Sequence, residues 1–588
     1  MAEPPVDHPM PADLLAGIGA LEDVPDFTLD GSWRLVDGFW TVSCSVQISA
    51  PSAFVEATTR WTMTVSPSYP GGIVLVTRAA GGGVHGDFAH ELVKNTPCLI
   101  NRGQPLGRWE GEAERKDAYG RLAWFAARLV WWVDRAARGE LLLPGDHFGH
   151  PLIEYEDKGR SINTLEDEGT LRAWAGHWGQ TGEVELRQDH GGHLSTYAVS
   201  FSRGGRQIVA PRWGSWVTAL PSQQRGTWLL LERRPFLEPW GFPATWGELE
   251  GALAAQGVAL EPVLQRAFEQ TATGCWLLIG YPVPGEIGGP NRRLEWQACQ
   301  LPSVGRKVSG FRPTAQSQWL RVRREALASG QRVPWVLRGS HQPQDLGSRG
   351  FLEEAVRTQR FLVIGAGALG SAIAEHLVRT GVTDIAVMDK DGMQTGNLVR
   401  HTLTLHDVAG NKAMRVARRL QAITTLARPV GHAEGFPPTS ASGRAAVEAA
   451  DVIIDTTGED GVVAALGRRR WDTPRVVISL SLGWRAQALY AVAERTTRFN
   501  ARAYHADISP HVAADLNNRP DDRLPMEGIG CWTPVWPALH TDVQLLAAVG
   551  ATFVREFVSA DDARRVRVYE QITGEEGFGG VRLRTENA

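Results

Sequence analysis

Three groups of residues in this chain have types and spacings that suit chemistry. The first is the run Arg360-Phe-Leu-Val-Ile-Gly365-Ala-Gly367-Ala-Leu-Gly370, followed by Val387-Met388-Asp389, Asn397-Leu398-Val399-Arg400 and Asn411-Lys412. Three glycines let a backbone turn tightly, approach a phosphate and pack a helix onto a strand, while the unpaired N–H groups of the helix start favour an anion. Asp389 closes the next strand, where a carboxylate can accept from ribose hydroxyls, and Arg400 and Lys412 supply cations for phosphates. The pattern is that of a nucleotide site; the glycines and the acid alone suit NAD equally.

The second group surrounds Cys531, in Gly528-Ile-Gly530-Cys531-Trp-Thr-Pro534. Small neighbours ahead of a helix beginning near His540 leave its sulfur open to a bulky acyl group. A thiolate in such a loop could take up an acyl group as a thioester. The third surrounds Cys98, in Asn95-Thr-Pro-Cys98-Leu99-Ile100-Asn101. Cys44, alternating with polar residues in a strand, and Cys275, beside Trp276, read as packing, and Cys299 has no motif around it.

A chain of 588 residues has room for about three or four domains. Residues 1–155 alternate strand-like runs with turns and end in a helix over Arg121–Gly139. There Leu122, Phe125, Leu129, Trp132, Val133 and Ala136 recur at helical spacing and the glycine ends the run. Residues 156–345 mix strands, as at Gly226–Leu231 and Cys275–Gly280, with amphipathic helices, contain no phosphate-type glycine turn, and close in a polar stretch, 339–350, expected to be a linker. Residues 346–588 begin with a helix over Phe351–Thr358, enter the glycine turn, and alternate strands and helices to about Val558, an α/β pattern.

A net charge of −4 with 21% charged residues leaves no basic field for nucleic acid. Neither a stretch of about 18 apolar residues nor a secretory leader is present in the sequence, so a membrane is not expected. Five cysteines in so long a chain cannot build a disulfide framework, which points to a reducing, cytoplasmic setting.

The segment Asp389-Lys-Asp391...Asn397-Leu-Val-Arg400-His401...Gly410-Asn-Lys412-Ala resembles the adenylation domain of ubiquitin-activating enzymes and their ThiF and MoeB relatives, which share D-x-D...N-L-x-R-Q...K-A. The resemblance implies ATP as the nucleotide, with Gly365, Gly367 and Gly370 at its phosphates, Asp389 on the ribose, and Asn397, Arg400 and Lys412 on the phosphates. His401 stands where the family has Gln, and Gly458 where it usually places the acid that binds Mg2+. Asp455, Glu459 and Asp460 are nearby substitutes, and which one serves stays open.

Around Cys98, the preceding Tyr69-Pro70 and His90, the Cys-Leu pair and the following Trp109 are similar to ubiquitin-conjugating enzymes. Their His-Pro-Asn motif is missing, and His90, Asn95 or Asn101 could replace its amide. The domain order resembles the fused activating and conjugating protein of bacterial CBASS antiphage operons, whose middle region is an inactive adenylation-like domain. The expected fold is therefore α/β: a Rossmann-like ThiF-type domain, a second adenylation-like domain without activity, and an N-terminal α+β conjugating-like domain.

What the family implies is activation of the C-terminus of a cyclic-oligonucleotide synthase (a nucleotidyltransferase), relay through Cys531 and Cys98, and conjugation to acceptor lysines by a homodimer in antiphage defence. Two alternatives remain in view: a sulfur-carrier adenylyltransferase, against which the lack of any C-x-x-C pair counts, and an inactive scaffold.

Overall fold

A computed structural model describes residues 9–99, 114–189, 191, 194–270, 275–301, 315–517, 526–527, 533–535 and 537–584. The chain divides into two compact units. One is formed by Met1–Leu186, His190–Ala210 and Gln223–Gly339, the other by Arg187–Asp189, Pro211–Ser222 and Ser340–Ala588.

In the first unit, the antiparallel strands Phe27–Leu29, Phe39–Gln47, Thr58–Val65 and Val74–Arg78 lie in that order, and Arg34–Val36 also pairs with Phe39–Gln47. Period-two alternation puts Val42, Cys44, Val46, Trp61, Met63 and Val65 in the core. The helix Gly120–Arg138 covers this core with Leu122, Phe125, Leu129, Trp132, Val133 and Ala136, and Gly139 ends it at φ 69°. Trp132 meets Trp61 edge to face at 6.0 Å, a geometry worth about 1 kcal/mol beyond burial. Tyr69 and Pro70 act here as a fastening: the Tyr69 hydroxyl donates to the Ala118 carbonyl at 2.6 Å, and Arg121 donates to the carbonyls of Pro70, Gly71 and Gly72.

A mixed sheet follows in the order Asn291–Gln300, Trp276–Pro284, Ser222–Leu230, Thr181–Asp189, Leu194–Arg203, Asp157–Thr164, Val336–Ser340, with Arg206–Val209 added to Leu194–Arg203. Ser222–Leu230 and Trp276–Pro284 run parallel, and every residue of Trp276–Pro284 is buried. That two-sided burial is why the segment reads as a continuous apolar run without alternation.

The second unit is built on an eight-stranded sheet in the order Val430–His432, Ile385–Met388, Phe361–Ile364, Val452–Asp455, Arg475–Leu482, Ala488–Thr496, Arg564–Gly574, Gly577–Leu583. The first five strands are parallel and the last three antiparallel. Phe361–Ile364 has its successor Ile385–Met388 on one side and Val452–Asp455 on the other. The order reverses there, and the carboxyl ends of those strands open a crevice at the switch point.

Two expectations change. The polar stretch 339–350 is not a free tether: it carries the helix Pro343–Gly347, Gln342 is 4% exposed, and the His341 ring hydrogen-bonds Thr425 Oγ1 at 2.9 Å. Its polar side chains are spent on neighbours within the unit rather than on water. The helix expected over Phe351–Thr358 shrinks to Glu354–Arg357. The hairpin Arg564–Leu583 extends the sheet beyond the last element expected from sequence.

Candidate functional site

The glycine turn follows Phe361–Ile364 and delivers the chain into the helix Ala368–Arg379. Its shape is imposed by neighbours. A Cβ on Gly370 would lie 2.0 Å from the Gly365 carbonyl oxygen and 2.3 Å from Thr456 Oγ1, so no side chain fits. Thr456 Oγ1 donates to the carbonyls of Ile364 and Gly365 at 3.0 and 2.8 Å, joining the turn to the end of Val452–Asp455. A Cβ on Gly367 would meet nothing within 4 Å, leaving open space in front of the helix N-terminus, where an anion is favoured.

The polar residues singled out in the sequence gather around this turn. Asp389 accepts from the Ala366 N–H at 2.6 Å through one oxygen and from the Asp391 N–H at 2.8 Å through the other. Asn411 donates to the Asp389 carbonyl at 2.9 Å and caps the helix Lys412–Gln421, accepting from the Met414 N–H at 3.1 Å. This sets Lys412 at the helix start, its ammonium 3.7 Å from Asp391. Asn397 sits in a single 3-10 turn, Thr395–Val399, with its side-chain oxygen accepting from the Gln394 N–H at 3.1 Å. Arg400 lines a cavity of about 670 Å³ together with Ala368, Thr456, Thr457, Gly458 and Asp460.

The acids separate clearly. Asp455 is fully buried and accepts from Thr457 Oγ1 at 2.7 Å and Ser479 Oγ at 3.0 Å. Burial pushes its carboxyl above the usual range, against the pull of those hydroxyls. Asp460 opens the helix Asp460–Arg468 at the cavity, 3.9 Å from the His505 ring. Gly458 lies between them at φ +66°, a conformation that glycine tolerates and an aspartate would resist. Among the described residues no cluster of three or more metal-ligating side chains forms. Mg2+ needs no such cage, because one or two carboxylates suffice when phosphates supply the remaining ligands. Of the three nearby acids, Asp455 is buried, Glu459 is exposed but does not line the cavity, and Asp460 is both exposed and at the cavity.

His401 does more than occupy the place of the family's glutamine. It is 5% exposed; Nδ1 accepts from the Leu403 N–H at 3.0 Å, so the proton resides on Nε2, which donates to the Ala366 carbonyl at 2.7 Å. The ring thus fastens the glycine turn from below. Burial lowers its pKa from the ordinary value, the Ala366 bond opposing. Because the folded pKa lies below the unfolded one, stability is complete above pH ~6.5 and is lost as pH falls through the folded pKa. His401→Gln offers the same donor and acceptor without titrating. Its melting temperature should fall less than that of wild type between pH 7.5 and 5.5, by roughly 2–4 °C in a thermal melt; equal losses would show that His401 does not titrate there.

Cys98 belongs to the first unit. It follows the hairpin strands Glu91–Val93 and Thr96–Pro97, donates its N–H to the His90 carbonyl at 2.6 Å, and is partly exposed. Cys44, Cys275 and Cys299 are buried, and burial lifts the Cys44 thiol to about 12 and Cys299 higher still. Those three are packing residues. Asn95 is in the exposed hairpin turn at φ 66°. Cys531, Asn101 and Trp109 lie outside the described residues. Sequence inspection missed Thr456 and Arg128, whose Nε donates to the Leu99 carbonyl at 3.4 Å; no local pattern marks either one.

Two family descriptions match the chain: the Cap2 central linker domain over residues 139–340 and the ThiF family over 341–462. The ATP-dependent ubiquitin transferase-like protein Cap2 of Enterobacter hormaechei is 31% identical, over 95% of this chain and 96% of that one. A sulfur carrier protein adenylyltransferase of Thermus thermophilus is 32% identical over 108 residues, 18% of this chain and 38% of the relative. The NEDD8-activating enzyme E1 catalytic subunit of Caenorhabditis elegans is 32% identical over 106 residues, 18% and 22% of the two chains.

Proposed function

Because the chain belongs to the Cap2 family of ATP-dependent ubiquitin transferase-like proteins, we propose that it activates the C-terminal carboxylate of a partner protein and passes it, as a thioester, to an amine. The chain is an adenylating transferase of the ThiF type; the partner and the relay are our own inference. The observation that carries them is a glycine turn at a sheet switch point, opening on a cavity of about 670 Å³, in one chain with a partly exposed cysteine in a second fold.

In this account the helix start at Ala368, with Asn397, Arg400 and Lys412, holds the ATP phosphates, and the free lone pairs of Asp389 take the ribose hydroxyls. The tail carboxylate lies in the 670 Å³ cavity and attacks the α-phosphorus, releasing pyrophosphate. Mg2+, held by Asp460 and the phosphates, would offset the charge on the departing pyrophosphate. The Cys531 thiolate attacks the acyl carbon and AMP leaves; the Cys98 thiolate displaces Cys531. An amine then displaces Cys98, its proton passing to solvent, and an amide results.

The partner we assign is a cyclic-oligonucleotide synthase of a CBASS antiphage operon, with lysine side chains as acceptors. A homodimer in the cytoplasm completes the proposal. The sulfur-carrier alternative is supported by similarity over 18% of this chain, against 95% for the Cap2 relative.

ATP–pyrophosphate exchange tests the reading. It should require a partner with a free C-terminal carboxylate, and Gly370→Ala, whose Cβ has no room, should lower it by about two orders of magnitude or more. Exchange that is indifferent to the partner's terminus, or intact in Gly370→Ala, would sink it.

A further inference from the structure

The segment around Cys98 lacks a His-Pro-Asn motif, and among the described residues the fold brings a cation to the residue that follows this cysteine. Arg128 lies on the helix Gly120–Arg138. Trp124 and Trp131, four residues before and three after, share its helix face. The guanidinium carbon sits 4.7 Å from the Trp131 ring centre and 5.8 Å from that of Trp124. Two indoles therefore hold the charge in place, a cation–π arrangement that also keeps it partly out of water. From that position Nε reaches the carbonyl of Leu99, the residue after Cys98, while the Cys98 N–H is fixed to His90.

We propose that Arg128 is the positioning residue of the transfer cysteine: the Trp124–Trp131 clamp sets its guanidinium at the Cys98-Leu99 segment, where it stabilises the Cys98 thiolate. This rests on Cys98 being the transfer nucleophile. A thiolate is both the form that attacks the incoming thioester and the form that departs when the amine takes the acyl group. A fixed cation beside it assists both without itself moving a proton.

The electrostatics agree in direction. Burial draws the Arg128 pKa down to about 10, and charge on Cys98 acts the other way, raising it; at neutral pH the guanidinium keeps its proton. Other charges on the surrounding elements are Glu91 paired with Arg78 and near Asp87, Lys94 near Glu154 at 3.5 Å, Arg135 paired with Glu140 at 2.7 Å over the same Trp131 ring, and His90, whose pKa is lowered by burial and by Arg128 and raised by Asp146.

Alkylation of the full-length protein by iodoacetamide, followed on the Cys98 peptide by mass spectrometry from pH 5 to 10, tests the assignment. Arg128→Gln should slow the reaction at pH 7 by roughly tenfold and move its midpoint up by about one pH unit. Arg128→Lys should keep most of the wild-type profile, and Trp131→Leu, which loosens the clamp, should fall between. Arg138→Gln, on the same helix but paired with Asp134, should leave the profile unchanged. Superimposable profiles for wild type and a folded Arg128→Gln would overturn the proposal; if that variant does not fold, a wild-type profile for Trp131→Leu would do so. The transfer reading fails separately, by normal amide product from Cys98→Ala.

Discussion

The Cys98→Ala protein is expected to load Cys531 with the activated acyl group and to release no amide. Cys98 is the described cysteine with access to solvent, whereas Cys44, Cys275 and Cys299 are buried, and burial raises the pKa of Cys44 and Cys299. In the proposed relay, removing its sulfur takes away the acceptor of the second thioester, and neither His90 nor Asn95 can form one. Amide product should drop by roughly three orders of magnitude or more. A thiol-sensitive adduct on Cys531 should accumulate at the same time, visible on a gel run without reducing agent. Wild-type amounts of amide from this variant would remove the conjugating domain from the account.

Cys531→Ala should block one step earlier. In the proposed scheme adenylate formation is assigned to the glycine turn, Asp389, Arg400 and Lys412 and precedes any step at Cys531, so partner-dependent ATP–pyrophosphate exchange should stay within about twofold of wild type. Thioester on either cysteine, and the amide, should be lost to a similar extent of roughly a thousandfold. The two variants together order the relay: one stalls with a charged protein, the other with an uncharged one. Persistence of thiol-sensitive adducts at wild-type level in Cys531→Ala would mean that another sulfur receives the acyl group first.

Arg128 and His401 make a contrasting pair with these sulfurs. Each is expected to act through its neighbour, one on the charge of Cys98 and the other on the shape of the turn that meets the phosphates. Their substitutions should therefore change pH profiles more than they change the identity of the products.

Much of the fold is legible in local pattern. The helix Gly120–Arg138 follows from apolar residues at helical spacing and a terminal glycine. The strand, turn and helix around Gly365 to Gly370 follow from backbone geometry that few other residues allow. The paired acid and cations downstream could be placed on the same nucleotide because they lie within about fifty residues of the turn and on the elements that immediately follow it. The polar stretch 339–350 shows where such patterns mislead. Composition marks those residues as loop, but the His341 ring bonds Thr425, far along the chain, and Gln342 is buried.

What residue order can specify here is therefore chemistry carried by short segments: a candidate phosphate turn, its acid, its cations and two cysteines set in motifs. Which acid faces the cavity is a different matter, because Asp455 and Asp460 are five positions apart and look interchangeable until strand pairing buries the first among Thr457 and Ser479. The same holds for Arg128, which reaches Leu99 only because the helix folds back over the sheet. Burial and long-range approach are properties of the packed chain, and they set the charge state and orientation on which each of these groups depends.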